Sequence, residues 1–206
     1  MRMLTDAEKK TVKYFFYFCI FLLIAACGSD GDFYSPKRKA YFRIDFPKKS
    51  YTTYDSICPF IFDVPKYAVV MPDKDAKAEP CWLNIVFPKY KATIHITYKR
   101  VDKNLSAYLE DSHTLAVKHQ VKASGLEEEM VVKDSVKVYG LIYNIEGNAA
   151  SSLQFYLTDS TTNFLRGSLY FMSRPNADSL DPILAFIKED IHRMIQSFKW
   201  KRVEKK

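Results

Sequence analysis

The sequence is poor in glycine, tryptophan and cysteine: its 206 residues include 6 glycines, 2 tryptophans and 4 cysteines. So few glycines leave little material for a loop that cradles a phosphate, and no P-loop motif is present. The G-x-S-x-G motif of serine hydrolases and the H-E-x-x-H motif of zinc proteases are missing as well. The sequence therefore contains no catalytic signature, and we predict a protein without enzyme activity, metal or cofactor.

The N-terminal region also lacks an apolar run of membrane-spanning length. The uncharged stretch Tyr14–Ala26 has 13 residues, which form about 20 Å of helix at roughly 1.5 Å per residue. A membrane-spanning helix needs about 20 residues. A basic start, a short apolar run and small residues at its end are instead typical of a secretory signal peptide.

The signal ends in the letters LIAAC at residues 23–27. This ending resembles the bacterial lipobox, in which the peptide is cut just before a cysteine that carries diacylglycerol. Fatty acyl chains of the palmitate type contribute about 0.8 kcal/mol per buried CH₂ and hold a domain on a bilayer. We therefore predict Cys27 as the lipidation site. The alternative is an uncleaved anchor with an incidental cysteine.

The predicted organisation has four parts. Residues 1–26 are the signal peptide, and residues 27–40 are the lipidated cysteine and a tether rich in Gly, Ser, Pro and charge. A single globular domain follows at residues 41–200, and residues 201–206 form a basic tail. The length that remains after cleavage suits one domain.

Positive charge is in moderate excess. The net charge of +7 falls to +5 on cleavage, because residues 1–26 hold four basic and two acidic side chains. The basic tail is typical of a solvated chain end, with contact to an anionic lipid surface as the alternative. An exported protein rarely meets nucleic acid, so we expect no nucleic-acid partner.

Two cysteines remain for the folded domain, Cys58 and Cys81. An even pair in an oxidising compartment favours a disulfide. A metal site fits less well, because two cysteines without a close histidine supply too few ligands.

Hydrophobic periodicity predicts strands, then a helix, then strands, then a helix. In CPFIFDV, alternate apolar residues share one face, and CWLNIVF and KATIHITYK form a hairpin across a short turn. Residues 104–123 have a helical period, with Asn104 as N-cap and Gly125 as stop signal. Further strand patterns are EEMVVK, VKVYGLIYNIEG, SSLQFYLT and FLRGSLYFM. Apolar residues then recur at three- and four-residue steps over residues 180–198, which predicts a long amphipathic helix.

This order predicts an α+β fold, with a twisted, mainly antiparallel sheet covered by helices. The layout resembles the PsbP/Mog1-like αβα sandwich, which also ends in a long helix and a short β-like segment. Here that segment would be SFKW. A likeness of layout carries no function.

Single titratable residues give weak signals. His113 and His119 lie six apart, and helical metal ligands favour i, i+4 spacing. Glu127-Glu128-Glu129 is typical of a solvated strand entry. Asp159 and Glu146 are the acidic residues that a hydrolase reading would use.

One region is dense in small and amide residues, from about residue 144 to residue 170. Here the strand order puts Arg166 opposite Gln154 if the intervening turn is symmetrical, with Asp159 as a possible acceptor for the guanidinium. One interpretation is a structural network inside the sheet. The other is a docking or ligand face with arginine and tyrosine anchors, for which we name Asn148, Gln154, Tyr156, Asp159 and Arg166.

Several segments resemble the gliding-motility lipoprotein GldD family: FRIDFPKKSY, CPFIFDVPKYA, CWLNIVFPKY, KHQVKASG and DIHRMIQSFKW. The most specific is GNAASSLQFYLTDSTTNFLRG, and the lipobox agrees with a lipoprotein family. The resemblance extends from about residue 41 to residue 200. It implies a role in gliding motility, tied to the type IX secretion machinery of the cell envelope, and it supplies no catalytic residues or cofactor.

Two functions follow from these observations. The first is a membrane-anchored, non-catalytic factor that assembles or stabilises the gliding and secretion machinery, with other proteins of that machinery as partners. The second is an envelope hydrolase or ligand-binding protein acting on cell-wall carbohydrate or peptide. The anchor places the domain at the cell envelope, facing the periplasm. Acidic residues after Cys27 resemble surface-export signals, but Gly31 interrupts the run, so cell-surface display is the lesser alternative.

Overall fold

The structure, a computed structural model, describes residues 14, 44–119, 123–172 and 177–201. Contacts divide the chain into two units, Met1–Lys39 and Ala40–Lys206, and the following description concerns the second. Cys27, the tether, the signal peptide apart from Tyr14 and the tail beyond Lys201 lie outside the described residues. Across the described ranges, no helix is long and apolar enough to cross a membrane.

The described part of the second unit contains two long helices and ten strands. The helices are α1 (Leu105–His119) and α2 (Ala177–Ser197). The strands are β1 (Tyr51–Asp55), β2 (Phe60–Pro65), β3 (Val69–Pro72), β4 (Leu83–Phe87), β5 (Ala92–Arg100), β6 (Ala123–Lys133), β7 (Val138–Gly147), β8 (Ser151–Thr158), β9 (Asn163–Phe171) and β10 (Lys199–Trp200).

Seven strands form one antiparallel sheet in the order β3-β4-β5-β9-β8-β7-β6, and three form a second in the order β1-β2-β10. The predicted hairpin is confirmed, since β4 pairs with β5 from Leu83 opposite Ile96 to Phe87 opposite Ala92. The predicted segment SFKW is also present, because β10 adds to the edge of β2. The α+β prediction is therefore correct.

The core lies between one face of the large sheet and the layer made by α2 and the small sheet. The apolar stripe of α2 is buried as its three- and four-residue spacing predicts, and burying each such side chain contributes about 1.5–3 kcal/mol. Alternation along β2 likewise turns one row of side chains inward. The apolar side chains that these two elements and the link after α2 contribute to the core cluster are Phe60, Phe62, Val64, Ile187, Ile191, Met194, Ile195 and Phe198.

Cys58 and Cys81 form the disulfide that the sequence predicts, with Cα atoms 5.6 Å apart. It joins the start of β2 to the loop that precedes β4. Closing a loop of this length contributes about 2–4 kcal/mol by restricting the unfolded chain. The small sheet is thereby tied to the edge of the large one.

Helix α1 covers part of the opposite sheet face. Ala116 is fully buried against Tyr143, Ile145 and Ala149. The prediction that Gly125 ends this helix is wrong, because Gly125 lies within β6, at an irregularity in its pairing with β7. A Cβ there would come 3.1 Å from a carboxylate oxygen of Glu146, so a larger residue would require a small shift of the Glu146 side chain.

Candidate functional site

Beside the apolar residues that pack against α1, this sheet face is polar. Four side chains stand beside one another across β4, β5, β9 and β8. Asn84 is paired with His95, His95 with Ser168, and Ser168 with Gln154. Directly paired residues point to the same side of a sheet, so the four form a continuous row.

A second row runs beside the first. Arg166 is paired with Tyr156 on β8 and with Thr97 on β5, and all three are half-buried. An Nη2–H of Arg166 donates to Oε1 of Gln154, which joins the two rows. Together with Tyr170, whose ring meets that of His95 edge-on at 5.6 Å, these residues form what we call the polar face. Its members are Asn84, His95, Thr97, Gln154, Tyr156, Arg166, Ser168 and Tyr170.

Three buried atoms of the polar face have no hydrogen-bond partner in the part of the chain that the structure describes: Oδ1 of Asn84, Oγ of Ser168 and Nε2 of Gln154. Ser168 and Gln154 are only 2% and 1% exposed. A buried polar atom without a partner costs about 1–3 kcal/mol. Native proteins tolerate few of them, and three on one small surface require an explanation.

The charge of Arg166 is also poorly compensated. No carboxylate within the described ranges lies within 4 Å of its guanidinium, by contrast with the salt bridges formed elsewhere in the domain. Burial lowers the pKa of Arg166, and the neighbouring Tyr170 acts in the opposite direction. The guanidinium remains a cation, because arginine does not lose its proton in proteins.

His95 stands next to Ser168 in the first row. Desolvation lowers the pKa of His95 below its ordinary value, and the negative charge of Asp73 partly opposes this effect. The imidazole is therefore neutral near pH 7, and it adds a hydrogen-bonding group to the polar face without a second positive charge.

Tyr156 lies at the boundary between the polar face and the part of the sheet against which α1 packs. Its ring stacks on Phe164 at 5.7 Å, and Phe164 in turn contacts Tyr108 of α1 at 5.3 Å. On the far side Tyr143 lies 6.5 Å from Tyr156. Burial raises the pKa of Tyr143 to about 12. A wall of aromatic rings therefore borders the polar face.

The structure brings three of the five predicted interaction residues together: Gln154, Tyr156 and Arg166. The predicted pairing is two residues off: the turn is symmetrical about Thr161, and that symmetry pairs Arg166 with Tyr156 and Gln154 with Ser168. Asn148 and Asp159 flank the two ends of the eight-residue strand β8, about 25 Å apart at roughly 3.3 Å per residue. The five residues do not form one surface.

Asp159 is not the acceptor for Arg166. Its Oδ1 accepts backbone N–H groups of Thr161, Thr162 and Asn163 at 3.0, 2.7 and 2.8 Å. Its Oδ2 accepts the side chains of Thr162 and Asn163. Burial acts to raise the pKa of Asp159, but these hydrogen bonds outweigh it and hold the pKa below its ordinary range. The carboxylate is occupied in shaping the β8–β9 turn.

Asp190 is a buried charge that the sequence reading missed. It lies on α2 and is 2% exposed. Its oxygens accept from Nζ of Lys49 at 2.8 Å, from the hydroxyl of Tyr51 at 2.9 Å and from that of Tyr67 at 2.7 Å. The signal in the sequence is an aspartate three residues after Ile187 and one before Ile191, inside the apolar stripe. Within the described ranges, no group of three or more His, Cys, Asp or Glu side chains could hold a metal.

Comparison with known proteins adds a family to this geometry. The family model described as "Gliding motility lipoprotein GldD" matches residues 31–200. The chain belongs to the gliding motility lipoprotein GldD family. It is therefore a lipoprotein with a part in gliding motility, anchored at a membrane of the cell envelope. The match includes every strand and both helices of the described domain, so the polar face belongs to the GldD domain itself.

No curated protein matches the chain. A solved structure similar to this GldD-family domain is the solution structure of cyanobacterial PsbP (CyanoP) from Synechocystis sp. PCC 6803. The two are 13% identical, the match covers 74% of this chain and 93% of CyanoP, and the TM-score is 0.46. The likeness concerns the fold alone.

Proposed function

We propose that this chain is a lipid-anchored, non-catalytic factor that assembles or stabilises the gliding and type IX secretion machinery by binding another envelope protein. The polar face carries the proposal. It combines a half-buried arginine that lacks a carboxylate partner among the described residues with bordering tyrosines. Arginine and tyrosine are enriched among the residues that dominate protein interfaces.

The positions and contacts of Asp159 and Glu146, the two acidic residues that a hydrolase would use, support a non-catalytic role. Asp159 uses both carboxylate oxygens in its own turn. Glu146 lies near the end of β7, whereas Asp159 follows the other end of the neighbouring strand β8. Glycosidase carboxylates work about 5–10 Å apart, and an eight-residue strand spans more than twice that distance.

In this proposal the chain is anchored to the membrane by lipid on Cys27, after cleavage of residues 1–26. The tether at residues 27–40 lets the domain at residues 41–200 stand away from the bilayer. We propose that the domain faces the periplasm. Reaction of an added cysteine at exposed Thr52 with a thiol reagent that cannot pass the outer membrane, in intact cells, would instead indicate surface display.

Photo-crosslinking in intact envelopes tests the interaction. A photoreactive amino acid at Thr97, on the polar face, is expected to give a discrete adduct with another envelope protein. The matched control is Thr52 on β1, an exposed threonine in the small sheet, where no such adduct is expected. The same adducts at both positions, or none at either, would contradict the proposal.

Two substitutions test the hydrolase alternative. Glu146→Ala and Asp159→Ala chains should support gliding wherever the protein accumulates to its normal level. Loss of gliding by a folded, normally abundant Glu146→Ala protein would favour an enzyme, because Glu146 is exposed and its substitution should not disturb the core.

A further inference from the structure

The described residues use only part of the guanidinium of Arg166 on the polar face. Within the described ranges it makes one side-chain hydrogen bond, in which Nη2 donates to Oε1 of Gln154. A guanidinium has five N–H donors in a planar fork. Gln154 is buried, so it fixes one edge of the fork and leaves the other donors at a half-exposed position.

Electrostatics indicates which kind of ligand suits the remaining donors of Arg166. Moving a cation partly out of water is costly unless an anion pairs with it. The described residues supply no carboxylate within 4 Å of Arg166, although Arg193 on α2 has one, since its Nε and Nη2 donate to Asp63 at 3.0 and 2.6 Å. A carboxylate binds the arginine fork with two parallel hydrogen bonds.

Buried polar atoms beneath Arg166 are an independent sign of an incomplete site. Oγ of Ser168 and Nε2 of Gln154 have no partner among the described residues, and both side chains are more than nine-tenths buried. The strand pairing turns both toward the same side of the sheet as Arg166. Both groups can donate a hydrogen bond, so the unpaired atoms beside the arginine match an acceptor-rich ligand.

We propose that the polar face recognises a carboxylate side chain on an acidic segment of a protein partner, with the fork of Arg166 as the anchor and Gln154 as its positioning residue. The inference rests on the proposed function and names the chemistry of its partner. A polypeptide fits better than a small acid, because Thr97 and Tyr156 lie opposite the arginine on the two neighbouring strands and Tyr170 lies four residues along its own strand. Such an extended surface provides contacts on both sides of the bound carboxylate.

The test uses the purified full chain in detergent and peptides as probes. N-acetylated, C-amidated hexaglutamate is titrated against the protein and compared with hexaglutamine and with sodium acetate, following the NMR signals of labelled arginine side chains. Hexaglutamate is expected to bind saturably and to shift the Arg166 signal. Hexaglutamine should produce no shift, and acetate should bind at least tenfold more weakly than hexaglutamate.

Variants separate a specific anchor from general charge attraction. Arg166→Gln should weaken hexaglutamate binding at least tenfold. Arg100→Gln, which removes the same charge from an exposed position on β5, should change it less than twofold. Arg166→Lys keeps the charge and loses the planar fork of donors, so it should still weaken hexaglutamate binding severalfold. It replaces Arg166→Gln in this test if that variant fails to fold.

Equal weakening by the Arg100 and Arg166 substitutions would overturn the inference, as would the absence of hexaglutamate binding at millimolar concentration. Acetate binding as tight as that of hexaglutamate would overturn the polypeptide assignment. If the peptides fail but the Thr97 adduct forms in envelopes, the proposed function stands and this recognition chemistry is wrong.

Discussion

Asp190 and Arg166 are charged side chains on opposite sides of the large sheet, the first buried and the second half-buried. They differ in the hydrogen-bond partners that surround them. Asp190 is surrounded by a lysine and two tyrosine hydroxyls within hydrogen-bonding distance. Among the described residues, the side-chain acceptor of Arg166 is a neutral amide, and buried polar atoms beside it lack partners. The described residues fully satisfy the first charge and do not satisfy the second.

The difference indicates that Asp190 serves the stability of the fold, whereas Arg166 serves recognition. The partners of Asp190 come from residues 49–51, at the start of β1, and from the loop after β2, so the carboxylate ties two separate pieces of chain to α2. Phe186, one turn before Asp190, receives the Lys49 ammonium over its ring at 3.5 Å. Arg166 joins two neighbouring strands that the sheet already holds together, so its charge contributes little that the fold requires.

The largest effect is expected from Asp190→Ala. It removes the carboxylate that accepts from the Lys49 ammonium and from two half-buried hydroxyls, and breaking a buried pair costs about 3–5 kcal/mol. Denaturant unfolding of the purified protein measures this loss. The control is Glu189→Gln, since Glu189 is exposed and lies 3.7 Å from the same lysine. Exposed pairs contribute about 0–1 kcal/mol, so similar losses in the two variants would contradict the comparison.

Tyr67→Phe tests the same cluster with a smaller change. The hydrogen bond to a charged acceptor is worth about 1.5–3 kcal/mol, and the phenyl ring keeps the packing. Desolvation and the bond to Asp190 raise the pKa of Tyr67 above its ordinary value near 10. The folded protein therefore holds this proton when the unfolded chain has lost it, and stability present below pH 10 declines as the pH rises further.

Measured as free energy of unfolding against pH, the wild type should lose stability above pH 10 more steeply than Tyr67→Phe. Tyr51 shares this behaviour, because desolvation and its bond to Asp190 raise its pKa as well. Parallel alkaline profiles in wild type and variant would mean that the Asp190 cluster does not hold the Tyr67 proton.

The smallest effect on stability is expected from Arg166→Gln. The variant loses a hydrogen bond to Gln154, but it also relieves the desolvation of an uncompensated cation, so the two terms oppose each other. Unfolding should change by about 1 kcal/mol or less. A loss as large as that of Asp190→Ala would make Arg166 a structural residue and remove the contrast.

Much of the fold could be predicted because its signals are local. Alternation in β2 and the stripe of α2 identify buried residues from their own neighbours in sequence. The hairpin of β4 and β5 needed only a short turn. Gly125 misled the prediction because a glycine that ends a helix and a glycine at an irregular strand pair look alike in a single sequence.

The candidate site could be predicted only in part. Gln154, Tyr156 and Arg166 lie on adjacent strands joined by a short turn, so one segment contains them. His95 and Ser168 come together only through the β5–β9 pairing, between strands far apart in the sequence. The same holds for Asp190, because its contact with Tyr67 spans 123 residues, and no periodicity reports which distant side chains meet.

Colony spreading and lipoprotein abundance, measured together in a gliding strain whose own copy is replaced, test the central claim most directly. Arg166→Gln protein should reach the wild-type level in the envelope and fail to support spreading, while Arg100→Gln supports it fully. Asp190→Ala should lose spreading because the protein itself is depleted. Normal spreading by cells with abundant Arg166→Gln protein would contradict the assignment of the polar face to function.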